Sequence, residues 1–283
     1  MIKNITVCGA GTMGRGIAQV SAQYGYRVRL FDVSQEQLET ALQTIQKNLD
    51  KGVARGKTSP EHRDICLENL STSNDLKEAC HECDLFIEAV PERLELKHRI
   101  FREVEGYVHD SCILGTNTSS LSIAEVAKVL QHPQRLIGTH FFNPVHIMKL
   151  LELVYHTGTS QEVIDAVQEY GANIQKESIL VRNAPGFATS RLGVALGMEA
   201  IRMLEEGVAS AEDIDTAMVL GYRHPIGPLK LTDLVGLDVR MDIGTYLSQA
   251  LENPAFSPPE LMKKLVKEGK LGKKTGEGFY KYE

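Results

Sequence analysis

A doubly wound, mostly parallel α/β sheet followed by an all-α domain is the fold class that three features of this chain predict. A short apolar segment, residues 2–8, runs straight into a glycine turn and then into a pattern of helical period. Strand-like apolar runs alternate with helical ones as far as Val181, the order that builds parallel sheets with helices on both faces. After Arg182 composition shifts and no convincing strand follows. The predicted domains are residues 1–182 and 183–283, with Asn183-Ala-Pro185-Gly186 as a hinge-like break between them.

With 283 residues, 42% hydrophobic and 24% charged, the chain has room for two ordinary globular cores. A net charge of −6 argues against a nucleic-acid footprint. No apolar run reaches membrane-spanning length, and residues 1–8 read as structure rather than as a signal peptide. The five cysteines are odd in number and lack a disulfide spacing, so a cytoplasmic location is expected. Cys80-His-Glu-Cys83 lacks a second ligand pair and reads as a helix end rather than a metal site.

The opening strand leads into Gly9-Ala-Gly11-Thr12-Met13-Gly14. Gly9 permits the tight turn, Gly11 lets backbone approach a pyrophosphate, and Gly14 lets helix pack on strand. The next strand, Arg27 to Phe31, ends at Asp32, 18 positions after Gly14. An acid there can accept the ribose hydroxyls and repel a 2′-phosphate, which predicts NAD rather than NADP on a Rossmann-type domain. The bland alternative is an acid capping the following turn. Ser34-Gln-Glu-Gln37 is a capping box opening a helix to about Arg55, and Ser59-Pro60 supplies an N-cap and N1 for another. This helical arm (about 35–67) carries Lys47, Lys51, Arg55 and Lys57, which by themselves read as a solvated face. Strand Asp84 to Val90 is broken by Glu88, helix Glu92 to Val108 follows, and strand Cys112 to Thr116 ends in Asn117-Thr-Ser119-Ser120 before a helix at Ser122.

Arg135 to Phe142 is an extended apolar run that Pro144 stops. It delivers His140 and Asn143 to a strand end, where open α/β sheets put their ligands. Met148 to Val154 reads as another strand, with Glu152 interrupting its apolar residues. A buried carboxylate needs a partner, and His140 is the obvious one. Such a pair would make an acid/base imidazole held in one tautomer; the alternative is a core histidine and a solvated glutamate. Helix Ser160 to Lys176 and strand Ser178 to Val181 close this domain.

In the second domain, Phe187 to Glu206 is a helix with apolar residues on nearly every face, so it is expected to be buried on all sides, within the domain or between subunits. Gly193 and Gly197 leave a groove in which another backbone could approach. Helices after Ser210, around residues 229–235 and 239–251, and ending near Gly269 follow, then an ordered, irregular strap rich in glycine, lysine and aromatics.

Taken together, Gly9-Ala-Gly-Thr-Met-Gly14, Glu88-Ala-Val-Pro-Glu92, Asn117-Thr-Ser-Ser120, Thr139-His-Phe-Phe-Asn-Pro144, Pro185-Gly-Phe187, Glu212-Asp-Ile-Asp-Thr-Ala217, His224-Pro-Ile-Gly-Pro228 and Lys274-Thr-Gly-Glu-Gly-Phe-Tyr280 resemble the short-chain L-3-hydroxyacyl-CoA dehydrogenases, including bacterial 3-hydroxybutyryl-CoA dehydrogenases. The resemblance spans essentially the whole chain. It implies His140 as catalytic base, Glu152 as its orienting partner, and Ser119 as a donor to the substrate oxygen. It puts Asn143, Glu92, Lys97 and Lys274, with Ser119, at positions that touch or shape the cofactor site. It turns Lys51 and Arg55 into contacts for coenzyme A phosphates. It also implies a homodimer through the C-terminal domain, an acyl-CoA substrate, and a place in fatty-acid or butanoate metabolism. One position departs, since the family's usual asparagine is here Ser190, which has a shorter reach.

The expected chemistry is proton removal from the 3-hydroxyl by His140 as hydride passes to NAD, with two domains closing to position the reactants. Two rivals remain. One is a dehydrogenase of free 3-hydroxy acids, which a catalytic lysine in place of the His–Glu pair would favour. The other is a non-catalytic, crystallin-like structural protein on the same scaffold.

Overall fold

The computed structural model describes residues 2–282, which divide into two compact units with the boundary between Asn183 and Ala184. The first unit begins with β1 (Asn4–Cys8), α1 (Thr12–Gln23), β2 (Arg27–Phe31), α2 (Gln35–Ala54) and α3 (Pro60–Glu68). It continues through β3 (Leu70–Ser73), α4 (Leu76–Ala79), β4 (Leu85–Glu88), α5 (Leu94–Glu105), β5 (Ile113–Thr116) and α6 (Ile123–Ala127). β6 (Leu136–Phe141), β7 (Leu150–Tyr155), α7 (Gln161–Asn173) and β8 (Glu177–Arg182) complete it.

The eight strands form one sheet in the order β3-β2-β1-β4-β5-β6-β7-β8. All neighbours are parallel except β6 and β7. Because β6 runs parallel to β1, the end of β6 and the glycine turn after β1 emerge on the same sheet edge. The antiparallel β7 starts from that edge, and so does β8 beside it. Helix starts follow their local chemistry: Ser34, Ser59, Ser122 and Ser160 each accept a main-chain N–H three residues on. The core is built from strand residues such as Ile5, Val7, Leu30, Leu85, Ile87 and Leu153, under helix residues Ile17, Leu38, Ile45 and Val167.

Some details differ from the sequence reading, such as the helix expected from Glu92 to Val108, which spans Leu94–Glu105. β3 has no counterpart in that reading: it is an edge strand of four residues, Leu-Ser-Thr-Ser, whose polarity hides it. The helix expected to reach Lys176 stops at Asn173. There Gln175 takes φ +56°, and the N–H groups of Lys176 and Gln175 reach back to Gly171 and Ala172. This is a Schellman end, with glutamine where glycine is usual.

The second unit is helical: α8 (Thr189–Glu205), α9 (Ala211–Thr216), α10 (Pro228–Val235), α11 (Leu237–Ala250) and α12 (Glu260–Lys267). Val194, Met198, Ile201, Ile214, Leu229 and Leu247 are among its core residues. Within this unit α8 is not buried all round: Leu192 is 72% exposed. The groove at Gly193 and Gly197 is also taken, by the buried Arg240 of α11, which donates to the Gly193 carbonyl. The final strap is ordered by two acids: Asp233 accepts from the Phe279 and Tyr280 N–H groups and the Tyr282 hydroxyl, and Asp215 accepts from the Tyr280 hydroxyl. Among the described residues no helix is long and apolar enough to cross a membrane, and no cluster of three His, Cys, Asp or Glu could hold a metal. All five cysteines are free and buried.

Candidate active site

At the sheet edge, Gly9 has φ +107° and its missing Cβ would lie 2.8 Å from the Ala89 carbonyl. Gly14 packs on the Gly9 backbone so closely that a Cβ could not fit. A Cβ at Gly11 would meet nothing within 4 Å, so this glycine borders open space. α1 begins there with no side-chain cap and no acid in its first turn, leaving its N–H groups and positive dipole end for an anion. Thr12 and Met13 open that first turn. Asp32, at the end of β2, accepts from the Ala10 N–H at 2.8 Å and the Ser34 N–H at 3.0 Å. It therefore fixes the turn as well as presenting a carboxylate beside it. Backbone, dipole and acid together fit a dinucleotide.

Beside β1, Glu88 is fully buried at the end of β4. Both of its oxygens accept from Lys97 Nζ, at 2.8 and 2.7 Å. The Thr116 hydroxyl and the Val90 N–H add bonds at 2.6 and 2.7 Å. Burial pushes the Glu88 carboxyl above its ordinary value, although the Lys97 ammonium pulls the other way. Lys97 itself has no exposed surface and reaches Glu92 at 3.3 Å, so it holds neighbouring acids rather than touching a ligand. One Glu92 oxygen collects the Thr118 hydroxyl at 2.5 Å, the Ser119 and Ser120 N–H groups, and the Ser120 hydroxyl. Burial raises Glu92, but Lys97 and these hydroxyls outweigh it and hold the carboxyl below its ordinary value. Through this fan of bonds Glu92 shapes the loop on which Ser119 stands exposed.

Two positions before Ser119, Asn117 ties strands together, its Oδ1 accepting from the Phe141 N–H at 3.0 Å. His140 and Glu152 face each other directly in the antiparallel β6–β7 register. His140 Nδ1 lies 2.8 Å from a Glu152 oxygen, with the glutamate fully buried and the imidazole 7% exposed. The imidazole also lies against the Phe142 ring, 4.3 Å between centroids. Asn143 follows, exposed, at the start of the loop 142–149.

Lys51 and Arg55, in the last turn and at the C-cap of α2, line a cleft of 510 Å³. Its walls also carry Lys57, Lys149, Lys176 and His146, and no acid among the described residues lines it. The remaining sequence-selected residues lie in the second unit. Ser190 is in the first turn of α8, and Lys274 Nζ bonds both Asp238 oxygens at 2.6 Å. Sequence reasoning missed Glu88, Thr116, Thr118 and Ser120, although a glutamate inside an apolar strand was a signal that a partner must exist.

Residues 4–184 match the NAD-binding domain model of 3-hydroxyacyl-CoA dehydrogenase, and residues 186–282 match the C-terminal domain model of the same family. The chain belongs to the 3-hydroxyacyl-CoA dehydrogenase family. It is 41% identical to the probable 3-hydroxybutyryl-CoA dehydrogenase of Bacillus subtilis strain 168, over all of this chain and 98% of that one. It is 40% identical to the mitochondrial hydroxyacyl-coenzyme A dehydrogenase of Sus scrofa, over all of this chain and 92% of that one. The crystal structure of (S)-3-hydroxybutyryl-CoA dehydrogenase PaaH1 from Ralstonia eutropha aligns over 100% of both chains, with a TM-score of 0.96 and 37% identity. The protein is thus an NAD-dependent dehydrogenase of 3-hydroxyacyl-CoA thioesters.

Proposed function

We propose that the chain interconverts a short L-3-hydroxyacyl-CoA, 3-hydroxybutyryl-CoA above others, with its 3-ketoacyl-CoA, using His140 as the acid/base. The observation that carries this reading is the buried His140–Glu152 pair on the sheet edge that also holds the glycine turn. Glu152 at Nδ1 assigns the proton transfer to Nε2. The imidazole takes the proton from the 3-hydroxyl in one direction and returns it in the other, while Glu152 stabilises the imidazolium that forms. NAD, when bound, supplies the hydride acceptor. Gly9, Gly11, Thr12, Met13 and Gly14 would hold its pyrophosphate and Asp32 its ribose, with Asn143 and Lys274 also assigned to the cofactor. Ser119, in the loop that Glu92 organises, donates to the substrate oxygen, and Asn143 and Ser190 contribute further polar contacts. Glu92 and Lys97 serve as supports.

Lys51 and Arg55 would hold coenzyme A phosphates, and the acid-free cationic cleft they line supports a thioester over a free hydroxy acid. The relatives' names support the short acyl chain. NADH oxidation with a ladder of 3-ketoacyl-CoA substrates tests both points: acetoacetyl-CoA should have the highest kcat/KM. A free acid turned over as well as its thioester would overturn the reading.

Exposed Leu192, Leu234, Val235, Val239 and Tyr246 on α8, α10 and α11 support a homodimer through the second unit. Sedimentation equilibrium should give a dimer at low micromolar concentration, which Leu196→Asp dissociates; a monomeric parent protein would refute it. Five free, buried cysteines support a cytoplasmic location.

A further inference from the structure

The loop 142–149 follows the strand end that carries His140, has Asn143 near its start, and enters β7 two residues before Glu152. It is irregular, and Asn143, His146, Ile147, Met148 and Lys149 are exposed. It is held from two sides. Lys176 is only 9% exposed, and its Nζ donates to the carbonyls of Val145 at 2.5 Å and Met148 at 2.6 Å. On the other side Val145 is buried against α1 at Gly16, where a Cβ would sit 2.9 Å from two Val145 carbons.

We propose that Lys176 is a positioning residue for the dehydrogenase reaction, latching the loop 142–149 so that Asn143 and the two strand ends carrying His140 and Glu152 keep one geometry. The inference rests on His140 being the acid/base group. The backbone under Lys176 is itself fixed by the Schellman end of α7, and the next N–H, that of Glu177, bonds the Lys149 carbonyl at 2.8 Å. The latch is thus anchored behind and reaches forward. Burying an ammonium is costly unless its donors are satisfied, and two main-chain carbonyls accept from this one. Burial also lowers the pKa of this lysine. An ammonium kept inside at that expense, at the root of the segment joining both members of the catalytic pair, is doing geometric work. Displacing reacting groups by about 1 Å can cost on the order of a hundredfold in rate.

Lys176→Met keeps the stem and removes the donors. Kinetics with acetoacetyl-CoA and with its pantetheine thioester separate the latch from the cationic cleft that Lys176 also borders. A latch predicts a kcat loss of roughly ten- to a hundredfold, by the same factor on both substrates. An unchanged kcat, with or without lower thermal stability, overturns it. So does a KM increase confined to the full coenzyme A thioester, which would make Lys176 a phosphate contact. Should Lys176→Met not fold, Gly16→Ala presses on Val145 from the opposite side. It should lower kcat on both substrates alike, with Val145→Ala in the same chain restoring part of it; an unaltered kcat would count against the loop's role. His140→Gln measured in parallel tells the two readings apart. If that variant keeps its turnover, the acid/base assignment has failed; if it is inactive while Lys176→Met is fully active, only the latch has.

Discussion

Glu88 on β4 and Glu152 on β7 are both strand carboxylates with no exposed surface, and their partners differ in kind. Glu88 is saturated: Lys97 spans both oxygens, and Thr116 and the Val90 N–H add to them. Glu152 faces an imidazole across one antiparallel pair, with one oxygen 2.8 Å from Nδ1. Lys97 spans both Glu88 oxygens and also reaches Glu92, so the first pair is a fixed strut that orders Glu92 and the Ser119 loop. An imidazole carries two ring nitrogens, only one of which this pairing uses, so the same demand for a partner produces a group that can do chemistry. Burial alone does not mark a catalytic carboxylate. The kind of partner does.

The largest expected effect breaks the contrast on the chemical side. His140→Gln should cost up to ~10⁴ in turnover, the upper range for a positioned acid/base group, while fluorescence titration shows NADH still bound. Near-parental turnover would sink the assignment. Glu152→Gln should lower kcat more than it weakens binding, because it removes tautomer control.

On the strut side, Lys97→Met leaves Glu88 buried without its cation. Urea denaturation should register a loss of about 3–5 kcal/mol, the range for breaking a buried pair from one side. Adding Glu88→Gln in the same chain should recover part of it. If Lys97→Met instead retained stability but lost turnover as severely as His140→Gln, the two pairs would be functionally alike.

Smaller effects sharpen the picture away from the pairs. Asp32→Ala should narrow the preference for NADH over NADPH in steady-state kinetics, since an anion beside the ribose repels a 2′-phosphate. Equal efficiency with both cofactors in the parent protein would show that Asp32 serves only the turn, through Ala10 and Ser34. Smallest of all, removing the charge of Lys51 or Arg55 should raise KM for acetoacetyl-CoA by a few-fold, since exposed ion pairs contribute about 0.2–1 kcal/mol. Turnover of the pantetheine thioester should be spared; equal effects on both would return these residues to a solvated face.

What could be read from the chain itself was what depends on neighbours a few residues away. Serine caps, the glycine turn, the stop at Pro144 and the alternation of strand and helix are local chemistry, and they were enough to predict the doubly wound sheet and the helical second unit. His140 and Glu152 could be matched because both interrupt apolar strand runs only 12 residues apart. The tertiary structure decided whatever needed a distant partner. β3 is a strand only because β2 offers its edge. The Lys97 side chain turns to Glu88, nine residues back in sequence, rather than outward. Gly193 and Gly197 admit Arg240 from α11 rather than another backbone. Lys176 meets Val145 and Met148 only after α7 has ended and β8 has come alongside β7. A polar group that must leave water takes whichever partner the folded chain brings within about 3 Å, and the one-dimensional pattern records the need for that partner without its address.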